Sequence, residues 1–186
     1  MSPSRGASER VYAALLPHEL ATSLRDGHLP ATAPVHAVTP ALREHYTEGD
    51  AEELELAAML DAADSCLRLL AAGTGTGTGT GVGVARRLVL AADVPAAQVR
   101  VRTVRDDDPP EALSLVELGA PLPLAAVVSA HVDEPEAAAD VAAAAAALPA
   151  ADSGDDDATF TVDGAQGHDL LWYDSSELAQ LADELG

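Results

Sequence analysis

Arg86-Arg87-Leu88-Val89-Leu90-Ala91-Ala92-Asp93 is the stretch that decides the architecture. Five consecutive apolar residues between charged flanks are what a strand covered on both faces requires, so this segment is read as a central strand. Such a strand needs a layer of structure on each side. The surrounding sequence offers helices for both.

Toward the N-terminus, Arg10 to Leu16 and Val35 to Val38 are short apolar runs suited to strands. Between them, Pro17 opens a helix carrying Leu20 and Leu24, and Gly27 ends it. Thr39-Pro40 is an N-cap followed by the proline favoured at the first helical position, and this helix runs through Tyr46 to stop at Gly49. Asp50 and Glu53 form a capping box for the next helix. Its Leu56, Leu60, Ala63, Leu67 and Leu70 recur at helical spacing and predict one buried face.

On the C-terminal side, Leu113 to Leu118 and Leu124 to Val132 read as two strands, and the short connection between them predicts antiparallel neighbours. An alanine-rich helix follows to about Leu148, behind Glu134 and Glu136. Thr159 to Val162 and Leu170 to Tyr173 read as a hairpin, with Trp172 or Tyr173 filling the core. Asp174 and Glu177 then cap a last helix bearing Leu178, Leu181 and Leu185. The expected fold is α+β, or mixed α/β, with a mixed sheet of about five to seven strands and helices packed on it. It forms a single domain over 10–186 behind a flexible N-terminus at 1–9. The Gly-Thr repeat at 73–83 interrupts that domain as a flexible linker.

Composition narrows the chemistry. Forty alanines leave an aliphatic core built mainly from leucine and valine, so each of the five aromatic residues is expected to matter for packing. Lysine is absent, which removes Schiff-base chemistry and the P-loop lysine. All glycines of the Gly-Thr tract fall on odd positions, a parity that neither G-x-G-x-x-G nor G-x-x-x-x-G-K can satisfy. No H-E-x-x-H, C-x-x-C or G-x-S-x-G occurs, and no cofactor is indicated.

The net charge of −21 is uneven: seven Arg face twelve acids in residues 1–93, but three face nineteen in 94–186. That field repels nucleic acid and anionic membranes and favours encounter with a basic protein partner; a small ligand is the other expectation. The polar stretch Met1 to Glu9 lacks the apolar core of a secretion signal, and the single Cys66 has no partner, so the expected location is cytoplasmic. Cys66 itself is expected to be buried and inert.

The candidate chemistry gathers at strand ends. Asp93, His131 and Asp133 would share the carboxyl ends of two central strands, where open α/β sheets bind ligands. Alternation places Ser129, His131 and Asp133 on one face, and His131 with Asp133 is the candidate metal pair. His168, next to Asp169 behind a glycine loop, is a further catalytic candidate. Together these residues would suit a small metal-assisted hydrolase, the alternative to a non-catalytic binding protein. Arg43, His45 and Tyr46 sit on one helical turn and read as exposed surface.

The chain also resembles an uncharacterised actinobacterial family classed as a domain of unknown function. The resemblance rests on Val11-Tyr12, Ala37 through Arg43, Gly49-Asp50 with Glu52 to Glu55, Ala91 through Pro95, His131-Val132-Asp133, and Gly167-His168 with Leu171-Trp172-Tyr173. It spans most of residues 10–174; the Gly-Thr tract departs from it. It implies no activity or ligand.

Overall fold

A computed structural model describes residues 7–74, 85–105 and 108–186. Seven strands form one sheet in the order β4-β5-β2-β1-β3-β6-β7. They are β1 (Ser8–Ala14), β2 (Val35–Ala37), β3 (Leu88–Pro95), β4 (Val99–Val101), β5 (Leu115–Leu118), β6 (Val127–Asp133) and β7 (Leu170–Asp174). Six α-helices accompany them among the described residues: α1 (Leu20–Asp26), α2 (Pro40–His45), α3 (Ala51–Thr74), α4 (Ala138–Ala151), α5 (Asp156–Gln166) and α6 (Leu178–Leu185). The α+β class and the strand number match expectation. Every strand pair is antiparallel, however, so the sheet is not of mixed direction.

As its unbroken apolar run requires, β3 is an interior strand, buried from Leu88 to Ala92 between β1 and β6. Alternation divides the sheet into two apolar faces. Val11, Ala13, Leu90 and Ala130 pack against Leu20 of α1 and Leu178, Leu181 and Leu185 of α6. Tyr12, Val89 and Ala91 pack against Leu42 of α2 and Leu54, Ala58, Ala62 and Ala63 of α3. The α4–α5 pair lies against the far end of α3, where Leu67 meets Val141, Ala144, Ala145 and Ala165.

The locally encoded boundaries form as expected. Thr39 Oγ1 accepts the Leu42 N–H at 3.1 Å and donates to the Leu113 carbonyl. Gly27 closes α1 at φ +77°, a left-handed conformation that favours glycine. Asp50 Oδ1 accepts the Glu52 and Glu53 N–H groups at 2.9 and 3.0 Å, and Glu53 Oε2 in turn accepts the Asp50 N–H at 2.9 Å. Asp174 and Glu177 build the same box ahead of α6.

Four expectations are corrected. First, β5 and β6 are not neighbours, because β2, β1 and β3 lie between them. Residues 119–126 cross the sheet instead, held where Leu29 N bonds Leu122 O and Leu124 N bonds Gly27 O, both at 2.9 Å. Five residues at about 3.3 Å each and the 3-10 turn Leu124–Ala126 at about 2 Å each reach at most about 22 Å, enough to pass strands spaced about 4.8 Å apart.

Second, Thr159 to Val162 lies inside α5 and forms no hairpin. Asp155 caps that helix by accepting Ala158 N at 2.9 Å, and Thr159 and Thr161 turn their hydroxyls back onto the carbonyls of Asp155 and Asp157. β7 pairs with β6. Third, the expected face of α3 is buried at Ala63 and Leu67 but not at Leu56 and Leu60, which are 52% and 45% exposed because the helix turns small residues to the sheet there. Ala58, Ala62 and Cys66 let the helix approach more closely than a leucine face would. Fourth, not every aromatic residue packs: Tyr173 lies against the core, as one of the two expected there, while Trp172 and Phe160 are 61% and 79% exposed.

The expected linker 73–83 lies outside the described residues beyond Thr74, as does most of the expected flexible N-terminus; Ser8 and Glu9 belong to β1. Among the described residues, no helix is long and apolar enough to cross a membrane.

Candidate functional site

The residues singled out in the sequence do not converge. β3 and β6 run antiparallel, so Asp93 and Asp133 lie at opposite ends of the sheet. Leu88 pairs with Val132, and the six steps from Arg87 to Asp93 span about 20 Å of extended strand. Asp93 pairs across the strands with Arg10, at 2.6 and 3.2 Å, at a solvent-exposed position.

Asp133 is fully buried, and both of its oxygens are occupied. They accept the Arg87 backbone N–H at 2.6 Å and the Arg87 guanidinium at 2.6 to 3.1 Å. Arg86 Nε reaches the Asp133 carbonyl at 2.5 Å. No lone pair is left over for a metal, and the arrangement is that of a desolvated structural ion pair. His131 lies midway along β6 with Nε2 3.2 Å from Ser129 Oγ; burial first, and then Arg10, lower its pKa.

His168 sits near the Asp133 end, its carbonyl 3.4 Å from Arg87 Nη2, while its ring bridges Asp140 at 2.8 Å and Glu134 at 3.1 Å. Those two hydrogen bonds, Asp140 first, raise its pKa. Among the described residues, no group of three His, Cys, Asp or Glu side chains could hold a metal ion.

A different set of polar groups does converge. With the small face of α3 on the sheet, its outer flank borders a groove of about 950 Å³ that begins at the Tyr46–Gly49 turn and ends at Gln166. Leu56 and Leu60 present an apolar stripe along it, and Asp61 and Asp64 follow one turn on. Asp64 accepts only long contacts from Gln166 Nε2, 3.3 Å to each oxygen. Burial pushes its carboxyl up to about 6, reinforced by the nearby Glu111 carboxylate. Asp61 accepts Ser114 Oγ at 2.6 Å and is likewise pushed up to about 6, again mainly by burial. Neither carboxylate has an ion-pair partner among the described residues. Arg87, which also borders the groove, is committed to Asp133, and Arg68 to Glu111 and Asp152.

Behind Asp61 lies a buried polar chain. His36, on β2, is fully buried; its Nδ1 is 2.8 Å from Ser114 Oγ and its Nε2 is 2.9 Å from Ser65 Oγ. Burial lowers the imidazole to about 4, so it is neutral at pH 7. His45 and Tyr46, expected as exposed surface, are exposed and meet edge-to-face at the mouth of the groove. A second depression of about 590 Å³ between the 29–35 loop and β5 carries only Arg102 and Glu117 as ionisable lining and brings no chemistry together.

Sequence reading missed Asp61, Asp64, His36, Ser65 and Ser114. The i, i+3 spacing of Asp61 and Asp64 beside Leu60 was the available signal, masked by assigning Leu56 and Leu60 to the core. His36 and Ser114 are 78 residues apart, and no local pattern joins them.

Comparison with curated proteins and with solved structures gives no match. The sequence profile of a family of unknown function, DUF6912, matches residues 9–182. That span takes in β1 from Glu9, all of β2 to β7, α1 to α5 and most of α6, and on it the chain belongs to the DUF6912 family.

Proposed function

We propose that this protein is a non-catalytic binding protein, acting in the cytoplasm, that receives a basic amphipathic segment of a partner protein in the groove along α3. The observation that carries this reading is the pair Asp61 and Asp64: two half-buried carboxylates with no ion-pair partner among the described residues, beside the exposed Leu56 and Leu60. Holding ionised groups in a part-apolar groove costs free energy, and an arriving guanidinium would offset that cost while a leucine beside it covered the apolar stripe. From Glu53 to Asp64 the flank of α3 is about 16 Å long, three turns of helix, which suits a peptide of similar length. The net charge of −21 adds long-range attraction for such a partner.

The test is a titration of methyl-labelled protein with a 15-residue helical peptide made only of leucine and arginine. The expected result is saturable shifts of the Leu56 and Leu60 methyls, lost when the peptide's leucines are replaced by serine. Shifts confined to other surfaces, or equal binding by the serine peptide, would overturn the groove as the site.

A further inference from the structure

The chain Asp61, Ser114, His36, Ser65 has a direction that elementary hydrogen-bond chemistry fixes. An ionised carboxylate only accepts, so Ser114 donates its hydroxyl proton to Asp61 Oδ2 at 2.6 Å. With that proton committed, Ser114 Oγ accepts at 2.8 Å from His36, whose ring proton therefore sits on Nδ1. Nε2 is then a bare lone pair, and it accepts the Ser65 hydroxyl at 2.9 Å. His36 and Ser114 are fully buried and Ser65 nearly so; besides Asp61 and His36, the acceptor in reach of Ser114 Oγ among the described residues is the Glu111 carbonyl, at a longer 3.3 Å.

Placing one proton on Asp61 turns every member around. Asp61 donates to Ser114, Ser114 donates to Nδ1 at 2.8 Å in preference to the Glu111 carbonyl at 3.3 Å, and the ring proton moves to Nε2, where it points at Ser65 Oγ. The proton count balances: one is gained at Asp61, and each later bond exchanges donor for acceptor. We propose that this chain is a tautomer switch, in which the ionisation of Asp61 in the groove sets which nitrogen of buried His36 carries its proton. The coupling to a ligand rests on the groove reading above: a guanidinium at Asp61 keeps it ionised and holds the Nδ1–H form.

The far end of the chain opens elsewhere. Ser65 and His36 border a separate cavity of about 260 Å³, walled by Pro34, Leu69, Pro109 and Leu115, with the charged Arg68, Arg102 and Glu111 also on its lining. In the reversed state the Ser65 hydroxyl is released from Nε2 and can donate there. Groove occupancy is thereby linked to the polarity of a second cavity without backbone movement.

The electrostatic surroundings permit the switch. Asp64 on α3 and Glu111 on the 110–113 turn raise Asp61, while His45 at the end of α2 opposes them. Arg68 on α3 and Arg87 ahead of β3 act on Asp64, and burial acts on His36. Asp61 near 6 and His36 near 4 leave an interval in which the carboxyl is neutral and the ring has not yet become a cation.

The experiment is a long-range proton–nitrogen correlation of the His36 ring in ¹⁵N-labelled free protein, from pH 8 to pH 5. The proposal expects the protonated-nitrogen signal to pass from Nδ1 to Nε2 with a midpoint near 6. It expects this transition to vanish in both Asp61→Asn and Ser114→Ala. A ring proton that stays on Nδ1 to pH 5 overturns it, as does a transition with the same midpoint in Asp61→Asn. Should either variant fail to fold, the wild-type series decides alone. Repeating the series with the leucine–arginine peptide should lower the midpoint by at least about one pH unit, the tenfold bias that a 1.4 kcal/mol difference supplies. Methyl shifts at Leu56 and Leu60 with an unmoved midpoint would leave the groove standing and sink the coupling. A wild-type midpoint near 6 without such shifts would leave the tautomer switch standing and sink the groove.

Discussion

Replacing Asp64 by Asn should make this protein more stable, which is the opposite of what removing a hydrogen-bonded side chain usually does. Burial holds the Asp64 carboxyl at about 6, against an ordinary value of 3.8. The native state therefore binds this proton more tightly than the unfolded chain, and ionised Asp64 weakens the fold above pH 6. The penalty fades as pH falls from 6 toward 3.8, where both states carry the proton. Two pKa units correspond to about 3 kcal/mol; roughly half survives solvent screening in an open groove, giving about 1–2 kcal/mol. Asn preserves the shape and still accepts from Gln166 Nε2. Urea unfolding at pH 8, 6 and 4 should show Asp64→Asn more stable by about 1–2 kcal/mol at pH 8, with the gain vanishing by pH 4. A variant less stable at pH 8, or a gain independent of pH, would refute the claim that burial strains this carboxylate. A group kept where it costs stability is the usual mark of a binding surface.

Three further outcomes follow from the same structure. Asp133→Asn should cost about 3–5 kcal/mol in chemical denaturation, because it leaves the buried Arg87 guanidinium without its countercharge; a loss under 1 kcal/mol would contradict the structural role assigned to the pair. Cys66 lies between Leu15 O and Leu88 N, and burial pushes its thiol up to about 12, so thiol reagents should label it only as the protein unfolds; rapid labelling of native protein would contradict this. Gly27→Ala should cost about 1 kcal/mol from the left-handed backbone alone, since nothing lies within 4 Å of the added methyl; a neutral effect in thermal unfolding would count against the α1 terminus described.

Features encoded within a few residues were legible in the sequence. Thr39-Pro40, Asp50 with Glu53, Gly27, and Asp174 with Glu177 each mark a boundary through bonds made three or four positions away. The both-sides-covered strand at 88–92 was legible too, because its burial is written in one unbroken apolar run. What failed depends on distant partners. The short 119–123 connection suggested antiparallel neighbours, yet the hydrogen bonds of the 119–126 crossing go to residues 27 and 29. The β-branched Thr159, Thr161 and Val162 suggested a strand, but the Asp155 cap and the contact of Ala165 with α4 outweigh that preference. On α3, the leucine stripe and the small-residue stripe have the same period; close packing on the sheet selects Ala58 and Ala62 over Leu56 and Leu60, and the leucine stripe is buried only from Ala63 to Leu67. That choice moved the candidate site from the strand ends at Asp93, His131 and Asp133 to the flank of a helix.

The central claim is that a cation is recognised by Asp61 and Asp64 at their place in the groove and not by negative charge in general. Its most direct measurement is the dissociation constant of the leucine–arginine peptide for three proteins at two salt concentrations. They are the wild type, Asp61→Asn/Asp64→Asn, and Asp156→Asn/Asp157→Asn, whose two changes fall at exposed positions in the first turn of α5. The account predicts a loss of about 10- to 100-fold for the groove variant, from about 1.4–2.8 kcal/mol of paired charge, and under about threefold for the α5 variant. Equal losses in the two variants, or none in the groove variant, would contradict it.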